Sequence, residues 1–167
     1  MATYKINKPF YFFILLSLSG FGYANSNHDI YMMTLSILSY AKMPSENLDL
    51  CIVDNQDLAN NFQQRVQQQD LKYKIQTISS KDLPLTSCSA IFFSKAQPNV
   101  EQKLIRELHN KSVLSFSSNN DQCEIGSAFC LYKSKNGNTL FKVNLDSLAK
   151  SRVHIDPRVL LLAQNME

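Results

Sequence analysis

Glycine is scarce in this sequence, with four residues among 167. Two of them, Gly20 and Gly22, lie in the N-terminal segment, so only Gly126 and Gly137 serve the rest of the chain. A loop that cradles a phosphate group needs several glycines, because its backbone N–H groups must approach the anion closely. The scarcity of glycine therefore excludes a P-loop and a glycine-rich dinucleotide-binding motif, and no cofactor is indicated.

Sequence signatures of common catalytic sites are also absent. The chain contains no G-x-S-x-G nucleophile elbow, no H-E-x-x-H zinc motif and no C-x-x-C redox motif. We therefore expect a protein that is not an enzyme. A thiol oxidoreductase is the enzymatic alternative, and it would require reactive free thiols in the exported protein.

Three isolated polar residues lie where chemistry could occur. Asp54 follows the first predicted strand, at the edge where α/β sheets bind ligands, although a lone carboxylate there is more often a helix cap or a loop residue. Asp146 precedes a helical pattern and is predicted to be its N-cap. His154 lies in an extended segment before Pro157, where a surface position is the default. The sequence therefore assigns no catalytic residue, and the ligand-binding residues stay unknown.

The first 24 residues are typical of a cleavable signal peptide. Lys5 and Lys8 form a positive region, residues 10–18 form a mostly apolar run (FYFFILLSL), and Ala24 is the small residue that a signal peptidase requires. The apolar run is too short to span a bilayer, which takes about 20 residues. We expect export to the periplasm with cleavage after Ala24. A retained N-terminal anchor is the alternative.

Residues 25–167 then form the mature chain, which has the length of one domain. Both N-terminal lysines leave with the signal peptide, so the mature chain carries an excess of only one positive charge. A near-neutral chain gives no electrostatic reason to expect a nucleic-acid partner or binding to an anionic membrane surface.

Helices and strands alternate along most of the mature chain. Apolar residues recur at helical spacing over residues 28–42, where Pro44 would end the helix, then around Phe62, and again over residues 100–108. Short apolar runs between these segments have the length of buried strands. Strands are predicted at residues 48–53, 73–78, 89–94 and 112–117.

The C-terminal part of the chain has a different pattern. Two predicted strands, residues 128–132 and 139–145, flank Asn136 and Gly137, which together are a hairpin signal. Apolar residues alternate with polar ones in the second strand, so one of its faces should be buried: Phe141, Val143 and Leu145.

Two further helices, one from Asp146 and one over residues 159–163, close the predicted domain. Strands that alternate with helices favour a parallel sheet, and the hairpin adds an antiparallel pair. The sequence thus predicts one α/β domain with a mostly parallel, mixed sheet flanked by helices and a C-terminal β-hairpin.

All four cysteines lie in the mature chain, and an even number in an exported protein favours disulfides over free thiols. Three pairings are open. Cys123 and Cys130 bracket a short loop and are close enough to bridge, and Cys51 and Cys88 can bridge if both point to one face of a parallel sheet. Zinc is the alternative, but no C-x2-C pair exists and the histidines are distant in sequence, so no metal is expected.

Several segments of the C-terminal half carry a family resemblance. They are the cysteine-bracketed block 123–130 (CEIGSAFC), the segment 141–148 (FKVNLDSL), Ser151 and the segment 157–163 (PRVLLLA). Together they resemble the C-terminal half of the YfiR/HmsC family.

The N-terminal half resembles the same family. Residues 40–44 (YAKMP) are similar to its aromatic-x-x-Trp-Pro helix end, residues 50–53 (LCIV) to its first strand and residues 88–93 (CSAIFF) to its third. Met43 stands in place of the usual tryptophan, and the block 123–130 lacks the paired glycines of many wider-family members. Both departures place the chain near the cysteine-containing YfiR subgroup.

The resemblance implies regulation rather than catalysis. YfiR-type proteins are periplasmic repressors that act on the periplasmic sensor domain of an inner-membrane diguanylate cyclase and hold it inactive. An outer-membrane OmpA-like lipoprotein can sequester such a repressor, which releases cyclic-di-GMP synthesis and promotes biofilm and exopolysaccharide. The family is also associated with dimers, so the resemblance includes a homodimer among its implications.

The resemblance further implies which cysteines pair, namely Cys51 with Cys88 and Cys123 with Cys130. The expected function is therefore that of a periplasmic negative regulator of a diguanylate cyclase. A periplasmic small-molecule-binding module is the alternative, with its ligand in the crevice at the strand ends near Asp54. A two-lobed solute receptor is excluded by the length of the chain.

Overall fold

The computed structural model describes residues 29–43, 47–108 and 111–164. The predicted signal peptide, residues 1–24, lies outside these ranges, as does Pro44, the predicted helix stop. Two of the three histidines, His28 and His109, also lie outside the described residues.

The described residues form five α-helices and eight β-strands. The helices are α1 (Ile30–Ser39), α2 (Gln56–Gln68), α3 (Pro98–Glu107), α4 (Leu145–Lys150) and α5 (Leu161–Gln164). The strands are β1 (Ala41–Lys42), β2 (Leu48–Val53), β3 (Tyr73–Ile78), β4 (Ala90–Phe93), β5 (Leu114–Ser117), β6 (Phe129–Lys133), β7 (Thr139–Val143) and β8 (His154–Ile155). Two 3₁₀ turns, Leu83–Leu85 and Pro157–Leu160, complete the order.

A six-stranded mixed sheet in the order β3-β2-β4-β5-β6-β7 is the centre of the fold. All neighbours in this sheet run parallel except β6 and β7, which form an antiparallel hairpin. Gly137 in the hairpin turn has a φ of +82°, which an L side chain rarely adopts. The α/β fold with a mixed sheet, and the hairpin at Asn136 and Gly137, are confirmed.

The first face of the sheet packs against α1, α2 and the C-terminal segment. A row of phenylalanines crosses this face from helix to sheet edge, with ring centroids 5.3–6.4 Å apart: Phe62, Phe92, Phe116, Phe129 and Phe141. The four strand residues lie on one face because strand side chains alternate between faces. Offset and edge-on ring contacts of this kind add to the free energy of apolar burial.

The second face of the sheet carries a smaller core. Here α3 covers β2 and β4, and its Leu104 and Ile105 pack against buried side chains such as Ile91 and Phe93. Both residues of the Cys51–Cys88 pair belong to this cluster. The second face therefore has fewer large apolar side chains than the first.

The predicted N-terminal helix ends earlier than expected. Residues 28–42 were predicted to be helical, but α1 ends at Ser39, and residues 41–42 form β1 instead. This strand pairs antiparallel with β8, with Ala41 opposite Ile155. Backbone hydrogen bonds to β8 take the place of those that another helical turn would have made. The spacing of apolar residues within 28–42 could not indicate this pairing, because β8 is distant in sequence.

The junction between β7 and α4 corrects two predictions. Strand β7 ends at Val143, and Leu145, predicted to be buried, is 74% exposed. Asp146 is not the N-cap of α4: buried Asn144 is, and its side-chain oxygen accepts a hydrogen bond from the N–H of Ser147 at 2.9 Å. Because β7 ends at Val143, the chain leaves the sheet at Asn144, and this residue takes the N-cap position two residues before Asp146.

Candidate functional site

The crevice at the carboxyl ends of β2 and β4 is the ligand site that the alternative prediction of a small-molecule-binding module implies. Asp54 lies there with a φ of 51°, and its side chain accepts a hydrogen bond from the N–H of Ser80 at 3.2 Å. Asn55, not Asp54, caps α2, and it also donates to the hydroxyl of Ser94 at 2.9 Å. The adjoining cavity is small, about 180 Å³, and Lys95 also lines it. Asp54 is thus a loop residue beside a small cavity.

The three isolated polar residues of the sequence analysis do not converge. Asp54 follows β2, Asp146 pairs with Lys150 on the exposed side of α4, and His154 is exposed on β8. In the described part of the chain, no hydrogen bond or ion pair joins any two of these three residues. They therefore form no catalytic cluster.

The long cysteine pair ties β2 to the segment that enters β4. Cys51, on β2, bridges to Cys88 with a Cα–Cα distance of 5.9 Å. Both are buried, at 0% and 8% exposure. Since Leu50 of β2 is in register with Ala90 of β4, the bridge adds a covalent link beside backbone hydrogen bonds.

The short cysteine pair closes the loop between β5 and β6. Cys123 bridges to Cys130 with a Cα–Cα distance of 5.7 Å across a separation of seven residues. Cys123 has a φ of 59°, and its N–H donates to the side-chain oxygen of Asn120 at 3.0 Å. We call residues 118–128 the disulfide loop. Its backbone is held from inside by polar groups as well as by the bridge.

The main polar anchor of the disulfide loop is Glu101, a fully buried carboxylate on α3. One carboxylate oxygen accepts from the hydroxyl of Ser117 at 2.5 Å, at the end of β5. The other accepts from the N–H and the hydroxyl of Ser127, at 3.2 and 2.9 Å, and from the side-chain amide of Asn120 at 3.4 Å. A buried carboxylate needs such partners, because burial without hydrogen bonds is costly.

Gly126 is the residue that allows the disulfide loop to approach Glu101 so closely. Its φ is +89°, and a Cβ at this position would lie 2.7 Å from the carboxylate and 3.0 Å from the carbonyl oxygen of Pro98. Any side chain would therefore displace the loop from α3. The positive φ and the close approach to Glu101 therefore both require glycine at position 126.

Burial raises the pKa of Glu101, although the hydrogen bonds from Ser117, Ser127 and Asn120 oppose that shift. No cation is among the groups that shift its pKa. The hydroxyls of Ser117 and Ser127 both donate to this carboxylate, and they belong to the end of β5 and to the disulfide loop. The arrangement therefore holds the disulfide loop against α3 and β5.

Sequence reasoning missed Glu101, but a signal was available. Apolar residues of α3 recur at Leu104, Ile105 and Leu108, and Glu101 lies three, four and seven residues before them. It therefore falls on the buried stripe of the helix rather than on its solvent face. A charged residue within an apolar stripe indicates a buried polar partner.

Two large apolar side chains, one in the disulfide loop and one at the start of α4, are exposed to solvent. Ile125 at its tip is 41% exposed, and Leu145 at the start of α4 is 74% exposed. The hydroxyl of Ser147 donates to the carbonyl oxygen of Gly126 at 2.7 Å, which ties α4 to the loop beside Ile125. We call the two exposed residues, Ile125 and Leu145, the loop patch. It is the candidate surface for a partner protein.

No group of three or more His, Cys, Asp and Glu residues in the part of the chain that the structure describes could hold a metal ion. Among the helices described, none has both the length and the apolar character needed to cross a bilayer.

Comparison with protein families identifies a YfiR/HmsC-like domain over residues 31–164. The match covers most of the chain, and the chain belongs to this family. The family is periplasmic and regulatory, which supports a periplasmic regulator of cyclic-di-GMP signalling at the level of the family. Two cysteine pairs at bridging distance are compatible with an oxidising compartment.

Proposed function

We propose that this member of the YfiR/HmsC-like family binds the periplasmic sensor domain of an inner-membrane diguanylate cyclase and represses cyclic-di-GMP synthesis. The observation that carries the proposal is the family match over residues 31–164. Repression of this kind would restrain biofilm and exopolysaccharide formation. An outer-membrane OmpA-like lipoprotein would relieve it by sequestering the repressor, and a homodimer would be one form of the free protein.

Export is part of the proposal. The chain would leave the cytoplasm through the signal peptide of residues 1–24, with cleavage after Ala24, and would form both cysteine bridges in the periplasm. Mass spectrometry of the protein from a periplasmic extract tests this directly. We expect a mature chain that begins at Asn25 and that alkylating reagents do not modify without reductant.

The loop patch supports binding by a fixed surface. Exposed apolar side chains on a rigid frame are suited to an interface, because little conformational freedom is lost when the partner binds. The disulfide loop has such a frame: the Cys123–Cys130 bridge, the Glu101 hydrogen bonds and the contact from Ser147 all hold it. We infer that Ile125 and Leu145 contact the cyclase sensor domain.

A binding measurement tests the patch. Titration calorimetry would compare the mature protein with the double variant Ile125→Asp, Leu145→Asp, using the purified periplasmic domain of the cyclase. We expect the double variant to lose most of its affinity, since two carboxylates would be buried without partners. Leu85→Asp is the matched control, because Leu85 is 86% exposed on a 3₁₀ turn that is not part of the disulfide loop. Equal loss of affinity in the control would contradict the assignment of the patch.

A small-molecule-binding module is the second candidate function. The crevice beside Asp54 is the place for its ligand, and the cavity there, about 180 Å³, is below the range of roughly 300–1,000 Å³ that drug-sized ligands occupy. A ligand that co-purifies with the protein and is lost in an Asp54→Ala variant would favour this function. Its retention in that variant would remove the crevice from consideration.

A further inference from the structure

A second cavity lies on the same face of the sheet, in a cleft between α3 and α4, and the proposed regulator function does not use it. Its volume is about 250 Å³. Ile91 of β4 and Ser115 of β5, which are register partners, form its floor. Its floor is therefore the sheet itself.

The walls of the cleft are apolar. Ile105 of α3 and Leu108, the C-cap of α3, line one side, Val113 lies at the entry to β5, and exposed Ala149 of α4 lines the other side. A ligand with an apolar body would remove this surface from water, which is the main source of affinity in small-molecule sites.

The rim of the cleft is positively charged. Arg106, Lys111, Lys150 and Arg152 are among its lining residues, and the described lining contains no aspartate or glutamate. Charges of one sign around a cleft with low-dielectric walls concentrate the electrostatic field and attract ligands of the opposite sign. The rim thus combines four basic side chains with no acidic one among its described lining residues.

These cations differ in how they are engaged. The Lys111 ammonium donates to the carbonyl oxygens of Pro84 and Thr86 at 2.7 and 2.8 Å, which fixes its position. Lys150 pairs with Asp146, but both side chains are more than two-thirds exposed and such a pair is weak. Within the described residues, no hydrogen bond or ion pair reaches the guanidinium of Arg152.

The floor supplies one further donor. Ser115 is 2% exposed, and its hydroxyl oxygen accepts a hydrogen bond from the N–H of Ala128 at 2.9 Å. Among the described groups, none accepts the Ser115 hydroxyl proton. A buried donor without an acceptor is uncommon in native proteins, and an acceptor atom in the cleft would satisfy it.

We propose that the cleft binds a small organic anion with a compact apolar body, namely the carboxylate of an aromatic or branched aliphatic acid. The carboxylate would lie among the rim cations, and the body would pack on Ile105 and Leu108. The closed floor and small volume favour a ligand of this size over a partner helix, which requires a long groove. The proposal does not depend on the proposed regulator function.

Benzoate is the probe for this site. Amide NMR spectra of the mature oxidised protein would be recorded during a benzoate titration, with benzamide and benzylamine as neutral and cationic counterparts. We expect saturable shifts centred on Ile91, Ser115 and Ala149, with a Kd near ~1 mM, as suits a ligand of so few atoms. Benzamide should bind about tenfold more weakly and benzylamine not at all.

Two variants locate the binding. Ala149→Trp would fill the cleft from an exposed position and should abolish the benzoate shifts while leaving the fold intact. Arg152→Gln with Lys150→Gln keeps the cleft open and should weaken benzoate binding about tenfold. Lys135→Gln, an exposed lysine in the β6–β7 turn, is the matched charge control and should bind as the parent does.

Several results would overturn the proposal. Equal affinities for benzoate and benzylamine would show that the rim cations do not contribute to binding. Shifts outside the cleft, or shifts that persist in the Ala149→Trp variant, would place the site elsewhere. No saturable shift with benzoate would contradict the proposal, and loss of cyclase binding in the Arg152→Gln, Lys150→Gln variant would then assign the cleft to a protein partner.

Discussion

The two faces of the sheet are stabilised in different ways. On the first face, phenylalanines from α2 and four neighbouring strands contact one another in sequence, and apolar packing by α1 and α2 covers them. The second face has fewer large apolar side chains. It carries the bridging residues Cys51 and Cys130, the carboxylate of Glu101, and the cleft between α3 and α4.

The two faces should therefore differ in how strongly their stability depends on oxidation state and pH. Apolar packing depends little on oxidation state or pH, because its side chains carry no titratable or redox-active group. The second face depends on two bridges and one buried carboxylate, so its structure responds to the chemistry of the compartment. The loop patch and the cleft both lie on elements that these groups hold in place. The following predictions test this difference, from the largest expected effect to the smallest.

Phe116→Ala should destabilise the protein most, by about 3–5 kcal/mol, because it opens a cavity in the middle of the phenylalanine row. Denaturant unfolding of the oxidised protein measures the effect. Tyr132→Ala, on the second face of β6 and only half-buried, is the control and should cost much less. A larger loss for Tyr132→Ala would reverse the proposed division between the faces.

Replacing Cys51 and Cys88 together with alanine should cost about 4 kcal/mol, since the bridge closes a loop of 37 residues in the unfolded chain. The midpoint of thermal unfolding should fall below that of the oxidised parent but stay above that of the reduced parent, in which the Cys123–Cys130 bridge is open as well. If the double variant unfolds at the same temperature as the oxidised parent, the second face does not depend on this bridge.

Replacing Cys123 and Cys130 together with alanine should cost less, about 2–3 kcal/mol, because the closed loop is only seven residues long. Hydrogen exchange should speed up in the disulfide loop while the amides of β4 keep their protection. Uniformly faster exchange across both faces would show that the loop is not a separate local unit.

Glu101→Gln should change the pH dependence of the free energy of unfolding more than it changes the magnitude of that free energy. The pKa of the folded carboxyl is raised, so the folded state binds the proton more tightly than the unfolded state, whose value is near 4.5. The contribution of this group is therefore present below pH 4.5 and lost as the pH rises through the folded pKa. The parent should lose stability relative to Glu101→Gln over that interval, as followed by urea unfolding at several pH values. Parallel curves would contradict the raised pKa.

Much of the fold could be predicted from local pattern. Apolar runs of strand length and helical spacing gave the alternation of elements, and the Asn136-Gly137 pair gave the hairpin, because these signals depend on neighbours in the sequence. The early end of α1 could not be predicted in this way, since β1 pairs with β8, which lies more than 100 residues further along the chain.

The candidate site was harder to predict than the fold. The cysteine pairs followed from a family resemblance, whereas Glu101 was overlooked because its partners Ser117 and Ser127 lie on other elements. Asn144 was overlooked as a cap because Asp146 has the same preference and lies nearer the helical pattern. In each case the missing information was a contact between residues distant in sequence, or the point at which the chain leaves the sheet.

The most direct test of the regulator function is the cyclic-di-GMP level in cells that carry the cognate cyclase. We expect the level to rise when the gene is deleted, and to return to the parental value when the parent protein or Leu85→Asp is restored. The Ile125→Asp, Leu145→Asp variant should reach the periplasm at normal abundance and leave the level high. An unchanged level after deletion, in cells shown to produce the cyclase, would contradict repression by this protein.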